Sequence, residues 1–148
     1  MAHVDPVEIL LVEDDPNDVE LALHALKKNY LNNPIEIARD GAEALEFIFG
    51  NGANAHRPSQ HRPKVILLDL KLPKIDGLEV LKRLKSDPET RSIPVVVMTS
   101  SREECDIVKS YQLGVNSYIV KPVDFEQFAE AVRQLGLYWL LMNQAPMH

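Results

Sequence analysis

Four short apolar runs punctuate an otherwise polar chain: Val7 to Val12, Val65 to Leu68, Val95 to Met98 and Tyr118 to Val120. A strand covered by helices on both faces has no position that favours a polar residue, so near-continuous Val, Ile and Leu predicts the strands of a parallel sheet. Ile35 to Ala38 alternates apolar with polar and predicts an edge strand. Between the runs the period lengthens to that of a helix. Val19, Ala22, Leu23 and Leu26 fall at i, i+3, i+4 and i+7, as do Gly77, Val80, Leu81 and Leu84, and Phe125, Phe128, Ala129 and Val132. Helix starts carry their own signals: Asp40 with Glu43, Ser101 with Glu104 and Asp124 with Gln127 have capping spacing, and Asp15 precedes Pro16. Five βα units predict a doubly wound α/β domain, whose ligands bind at the carboxyl ends of its strands.

Composition narrows the classes. A chain of 148 residues with 45% hydrophobic content suits one domain that buries a core without disulfides or structural metal. Its formal net charge of −6 disfavours nonspecific binding to nucleic acid or to an anionic membrane. The lone Cys105 excludes an internal disulfide and reads as a small core residue. No run approaches the roughly 18 apolar residues of a spanning helix, and the amino terminus lacks a signal pattern, so a cytoplasmic location is expected. Gly50 to Pro63, rich in Gly, Asn, His and Pro, reads as a surface loop. His3, His24, His56, His61 and His148 show no metal-ligand spacing.

The residues that follow the predicted strands are chemically capable: Glu13, Asp14 and Asp15, then Asp69, then Thr99 and Ser100, then Lys121 and Pro122. Any one acid at a loop start is more often a cap than a functional group. Asp69, however, is too early to cap a helix that begins near Asp76 and Gly77. Were Glu13, Asp14 and Asp69 to converge, each close pair would cost about 4 kcal/mol at an effective dielectric near 20, and a cation must offset that. Oxygen donors with open positions for phosphate oxygens suit Mg²⁺. A carboxylate can itself attack phosphorus to give an aspartyl phosphate, with Lys121 and Thr99 placed to stabilise the phosphoryl oxygens. Two rivals fall behind. An aspartate-nucleophile phosphatase wants a second acid two residues on, where this chain has Lys71, and a flavin-binding domain wants a phosphate loop where it has acids.

The segments ILLVEDD at 9 to 15, VILLDLKLPKIDG at 65 to 77, IPVVVMTSS at 93 to 101 and SYIVKP at 117 to 122 resemble those of response-regulator receiver domains along almost the whole chain. The resemblance implies a flavodoxin/CheY-like five-stranded parallel sheet in the order 2-1-3-4-5. It implies Asp69 as phosphoacceptor and Mg²⁺ as cofactor, bound by Asp14, Asp69 and the Lys71 carbonyl directly and by Glu13 through water. Thr99 and Lys121 would contact the phosphoryl oxygens, the Lys121 to Pro122 peptide would be cis, and Thr99 with Tyr118 would form the switch. The donor would be a phosphohistidine on a partner histidine kinase, and the chain would catalyse only its own phosphorylation and dephosphorylation. Ser100 and Ser101 make the loop after the fourth strand richer in hydroxyls than is common in the family, and Lys71 and Ser101 stand where receivers tune water access.

The 26 residues after Pro122 suffice for an extended C-terminal helix and a short tail, so a single receiver domain over 1 to 148 is expected, with a core of about 6 to 135 and an apolar extension over 136 to 148. Signal would leave through a binding surface. Six of the nine aromatic residues lie from 111 onward, and Leu135 to Met142 is uncharged. Ile107 and Tyr111, taken as outward-facing, join Tyr118, Tyr138 and Trp139 in an apolar patch suited to a homodimer. The loop before the third strand, DIVKSYQLGVNSYIVKPVD and the terminal YWL are similar to single-domain response regulators paired with cyanobacterial phytochrome kinases. That resemblance implies a phytochrome-type kinase and an unidentified downstream protein as partners. A phosphorylation-independent adaptor is the alternative, against which stands the intact set of Glu13, Asp14, Asp69, Thr99 and Lys121.

Overall fold

The computed structural model describes residues 9–28, 34–50, 62–100, 117–121 and 123–134. Strand β1 spans Ile9–Val12, helix α1 Pro16–Lys28, β2 Ile35–Ala38, α2 Gly41–Phe49, β3 Val65–Asp69, α3 Gly77–Ser86, β4 Val95–Thr99, β5 Ser117–Val120 and α4 Phe125–Gln134. The strands form one parallel sheet in the order β2-β1-β3-β4-β5. The expected strand order is met, and strand and helix alternate as far as β4; the helix expected between β4 and β5 lies outside the described residues.

Register explains the apolar runs. Leu10, Val12, Ile66, Leu68, Val95 and Val97 face a core shared with α2 and α3. Their neighbours Ile9, Leu11, Val65, Leu67, Val96 and Met98 face a second core that holds Val19, Ala22 and Leu26 of α1 and Phe128 of α4. Alternate residues point to opposite faces and both faces are covered, so every position is apolar. Each such side chain contributes about 1.5–3 kcal/mol by leaving water. The exposed strand positions fall on the two edges, at Glu36 in β2 and Val120 in β5.

The caps form as the spacing indicated. Asp40 accepts from the Glu43 N–H at 2.7 Å, Asp124 from that of Gln127 at 2.8 Å, and Asp15 from that of Asn17 at 2.8 Å. Asp76 caps α3 through the Glu79 N–H at 3.1 Å. Gly50 closes α2 in the left-handed conformation, φ 74°, which costs a glycine nothing sterically.

Three strand boundaries differ from the sequence reading, of which the smallest is the start of β5 at Ser117 instead of Tyr118. β3 runs through Asp69 and β4 through Thr99, so these polar residues end the strands instead of following them. Backbone pairing is indifferent to side-chain polarity: Asp69 pairs with Met98 and Thr99 with Val120, and the Lys121 N–H donates to the Thr99 carbonyl at 2.8 Å. Several expectations lie outside the described residues: Val7 and Glu8, most of the Gly50 to Pro63 loop, the helix with Ser101, Glu104, Cys105, Ile107, Val108 and Tyr111, the peptide at Pro122, and the extension with Tyr138 and Trp139. No helix among the described residues is long and apolar enough to cross a membrane.

Candidate functional site

The chain leaves β1 at Val12 directly beside Leu68 of β3, which sets Glu13 next to Asp69. Of the four buried polar or charged residues described, Glu13, Asp69 and Thr99 lie at this one rim; the fourth is Thr90. Carboxylate oxygens of Glu13, Asp14 and Asp69 lie within 4.8 Å of one another, with Asp14 exposed and the other two buried. The three acids that the sequence set apart are therefore brought together.

Lys121, just past β5, places its ammonium among them. Nζ lies 2.7 Å from Glu13 Oε1, 3.1 Å from Asp69 Oδ2 and 3.2 Å from Asp18 Oδ2. Burial alone would pull its pKa down, but Glu13 and Asp69 outweigh burial and hold it above the ordinary lysine value. It stays charged throughout the physiological range. Glu13 responds in the other direction: burial, then the neighbouring Asp69 carboxylate, push its pKa from 4.5 to about 7 against the pull of Lys121. Glu13 Oε2 accepts from the Asp15 N–H at 3.3 Å, whereas Oε1 meets Lys121 at ion-pair distance without the alignment of a hydrogen bond.

This donor set fits a hard divalent cation. Three clustered carboxylates, joined by Asp18 at the same ammonium, are offset by one lysine, and Glu13 Oε1 is a buried oxygen with no hydrogen bond among the described groups. Carboxylate-only donors select ions of the Mg²⁺ or Mn²⁺ kind over softer metals that prefer thiolate or imidazole.

The backbone around Asp69 is held closely. Asp69 Oδ1 accepts from the Lys71 N–H at 3.2 Å, and the Gly77 N–H donates to the Leu70 carbonyl at 2.9 Å. A Cβ on Gly77 would strike the Asp69 carbonyl oxygen and lie 2.6 Å from Leu70 Cα, so only glycine lets α3 begin against the end of β3. The loop between them turns at Lys74, which has φ 66° and reaches Asp40 at 3.3 Å. A Cβ on Gly41 would overlap the Ile75 carbonyl, so the start of α2 seats directly on this loop.

Thr99 is fully buried one place beyond the residue that pairs with Asp69. Tyr118 pairs with Val97 and packs, partly buried, on the core that contains Leu68 and Val97. Of the five residues expected in a dimer patch, Tyr118 alone falls among the described residues. Sequence reasoning missed Asp18. As an acid in the first turn of α1 it reads as a helix-dipole residue, yet it meets Lys121, 103 positions away. No local pattern marks it, because Asp14 lies in the loop before α1 and the contact exists only once β5 brings Lys121 to the start of that helix.

Comparison with known proteins gives one family. The profile of the response regulator receiver domain matches residues 9–133. The bacteriophytochrome response regulator AtBRR is 53% identical in sequence, with a TM-score of 0.85 over 95% of this chain and 100% of its own. Response regulator Rcp1 of Synechocystis sp. is 41% identical over 135 residues, 91% of this chain and 90% of Rcp1. A solved Mn²⁺-bound form of Rcp1 superposes with a TM-score of 0.71 at 39% identity, over 96% of this chain and 98% of that one. The phosphorylated cyanobacterial phytochrome response regulator RcpA is 41% identical, with a TM-score of 0.72 over 91% of this chain and 94% of its own.

Proposed function

The chain belongs to the response regulator receiver domain family, and we propose that residues 1 to 148 act as a single receiver in a two-component phosphorelay with Asp69 as phosphoacceptor. The observation that carries this reading is the convergence of Glu13, Asp14 and Asp69 around one rim with Lys121 lodged among them. An Asp69 carboxylate oxygen attacks the phosphorus of a kinase phosphohistidine. The O–P bond forms as the P–N bond breaks, and the leaving imidazole takes up a proton from solvent. Lys121 and the Thr99 hydroxyl stabilise the equatorial oxygens. Mg²⁺, held by Asp14, Asp69 and the Lys71 carbonyl and by Glu13 through water, would neutralise phosphoryl charge when bound. Hydrolysis reverses the charge event: water attacks phosphorus, the O–P bond breaks, and the Asp69 carboxylate and inorganic phosphate are restored.

The readout is a change of binding surface. Thr99 moves toward the phosphoryl group and Tyr118 turns into the room it leaves, biasing the face around β5 between two arrangements. Ile107, Tyr111, Tyr118, Tyr138 and Trp139 form the homodimer patch on this reading, and a downstream protein reads the change. The relatives that serve phytochromes support a phytochrome-type histidine kinase as donor, and a cytoplasmic setting follows from such a donor. The chain's own chemistry is confined to gaining and losing the phosphoryl group.

The test is incubation with acetyl phosphate and Mg²⁺, followed by intact-mass analysis. A base-labile phosphoryl adduct is expected in the wild type and absent from Asp69→Asn and from EDTA-treated samples. An adduct that survives in Asp69→Asn, or none in the wild type, overturns the proposal.

A further inference from the structure

The receiver reading leaves one acid of the site without a role. Lys121 Nζ has three N–H bonds and three carboxylates within reach: Glu13, Asp69 and Asp18. Asp69 is the group that changes when phosphorylated, and Glu13 belongs to the acid cluster suited to a cation. Asp18 is neither, and its Oδ2 accepts a hydrogen bond from Lys121 at 3.2 Å. We propose that Asp18 is a positioning residue that holds the Lys121 ammonium in place for the incoming phosphoryl group. This inference rests on the receiver reading and adds to it a residue that fixes the site's cation.

Both ends of the clamp are anchored. The Asp18 N–H is turned toward Asp15 Oδ1 at 3.4 Å, and α1 is pinned to the core by the neighbouring Val19 and by Ala22 and Leu26. At the other end the Lys121 N–H is tied to the Thr99 carbonyl at 2.8 Å, so the backbone of the lysine is part of the sheet edge. Between these points runs a flexible four-carbon stem, whose rotamer freedom is among the largest of any side chain. A carboxylate that keeps its hydrogen bond while Asp69 reacts removes that freedom before transfer begins, which is how oriented groups lower a barrier. Asp18 suits the task because its side chain is 31% exposed, against 2% for Glu13 and 7% for Asp69, so it carries its charge at little desolvation cost.

The experiment compares wild type, Asp18→Asn, Asp18→Ala, Lys121→Ala and the Asp18→Ala/Lys121→Ala double variant. Phosphorylation by acetyl phosphate at saturating Mg²⁺ is expected to slow on the order of tenfold in Asp18→Ala, the effect of freeing one lysine side chain. Asp18→Asn, whose amide oxygen still accepts, should recover most of the rate. Asp18→Ala should add nothing in the Lys121→Ala background, because the residue acts only through that lysine. A second readout needs neither metal nor phosphoryl donor: ¹⁵N-edited spectra in EDTA should show the Lys121 ammonium protons protected from exchange in the wild type and Asp18→Asn and exchanging faster in Asp18→Ala, where only Glu13 and Asp69 remain beside them. Unchanged rate or unchanged protection in Asp18→Ala, or equal slowing with and without Lys121, overturns the inference. A wild type that takes up no phosphoryl group sinks the receiver reading alone, since the exchange measurement still judges the Asp18 to Lys121 clamp.

Discussion

Lys121→Met keeps the apolar stem and deletes the ammonium, leaving Glu13 and Asp69 side by side with side chains 2% and 7% exposed. Breaking a buried ion pair by removing one partner costs about 3–5 kcal/mol, because the charge left behind has lost both water and its counter-ion. Glu13 limits the loss. Its pKa already stands at about 7, and the variant lets it take a proton near neutral pH, so the low end, about 3 kcal/mol, is expected. At roughly 2–4 °C per kcal/mol for a chain of this size, the melting temperature in EDTA should fall by roughly 6–12 °C. Mg²⁺ should return most of that deficit, and should raise the melting point of the variant more than that of the wild type, since it meets the same carboxylates without a competing lysine. Thermal melts followed by circular dichroism, with EDTA and with saturating Mg²⁺, measure both effects. A variant that melts with the wild type in EDTA, or equal Mg²⁺ gains in the two proteins, would show that the acids do not depend on Lys121 for charge compensation.

Two further outcomes probe the scaffold beneath the site. Gly41→Ala forces a methyl into the Ile75 carbonyl, so α2 or the loop after β3 must shift at a cost of about 1–3 kcal/mol; an unchanged urea midpoint would refute the close seating of α2 on that loop. Asp40 has its pKa lowered below 3.8 by the Glu43 N–H and by Lys74, so the carboxylate stabilises the fold above that value and the gain is lost as pH falls through the folded pKa. Asp40→Ala should therefore cost about 1 kcal/mol near neutral pH and progressively less in acid, while Asp40→Asn keeps the cap; urea midpoints that show the same Asp40→Ala deficit at about pH 3 as near neutrality would contradict the assignment.

The strands were legible because a sheet covered on both faces leaves an uninterrupted apolar signature, and the helices because Asp15, Asp40, Asp76 and Asp124 announce their first turns through a local hydrogen bond. Asp69 stood out for a similar reason, as an acid directly after a buried run with no helix to cap. Such features depend on neighbours a few residues away, and chain order contains them in full. Whether Glu13 and Asp69 meet depends instead on β1 and β3 pairing in the register that sets Val12 beside Leu68. The same holds for Asp18, which reaches Lys121 across 103 residues of chain, and for Gly41, whose need to be glycine comes from the Ile75 carbonyl of a distant loop. Surroundings then decide what the acids are worth: burial drives Glu13 up to about 7, whereas the Glu43 N–H and Lys74 hold Asp40 low. Periodicity and capping chemistry, read along one dimension, determine the elements and nominate the acids. Strand register and desolvation, which exist only once the sheet has closed, decide which charges face one another and how strongly.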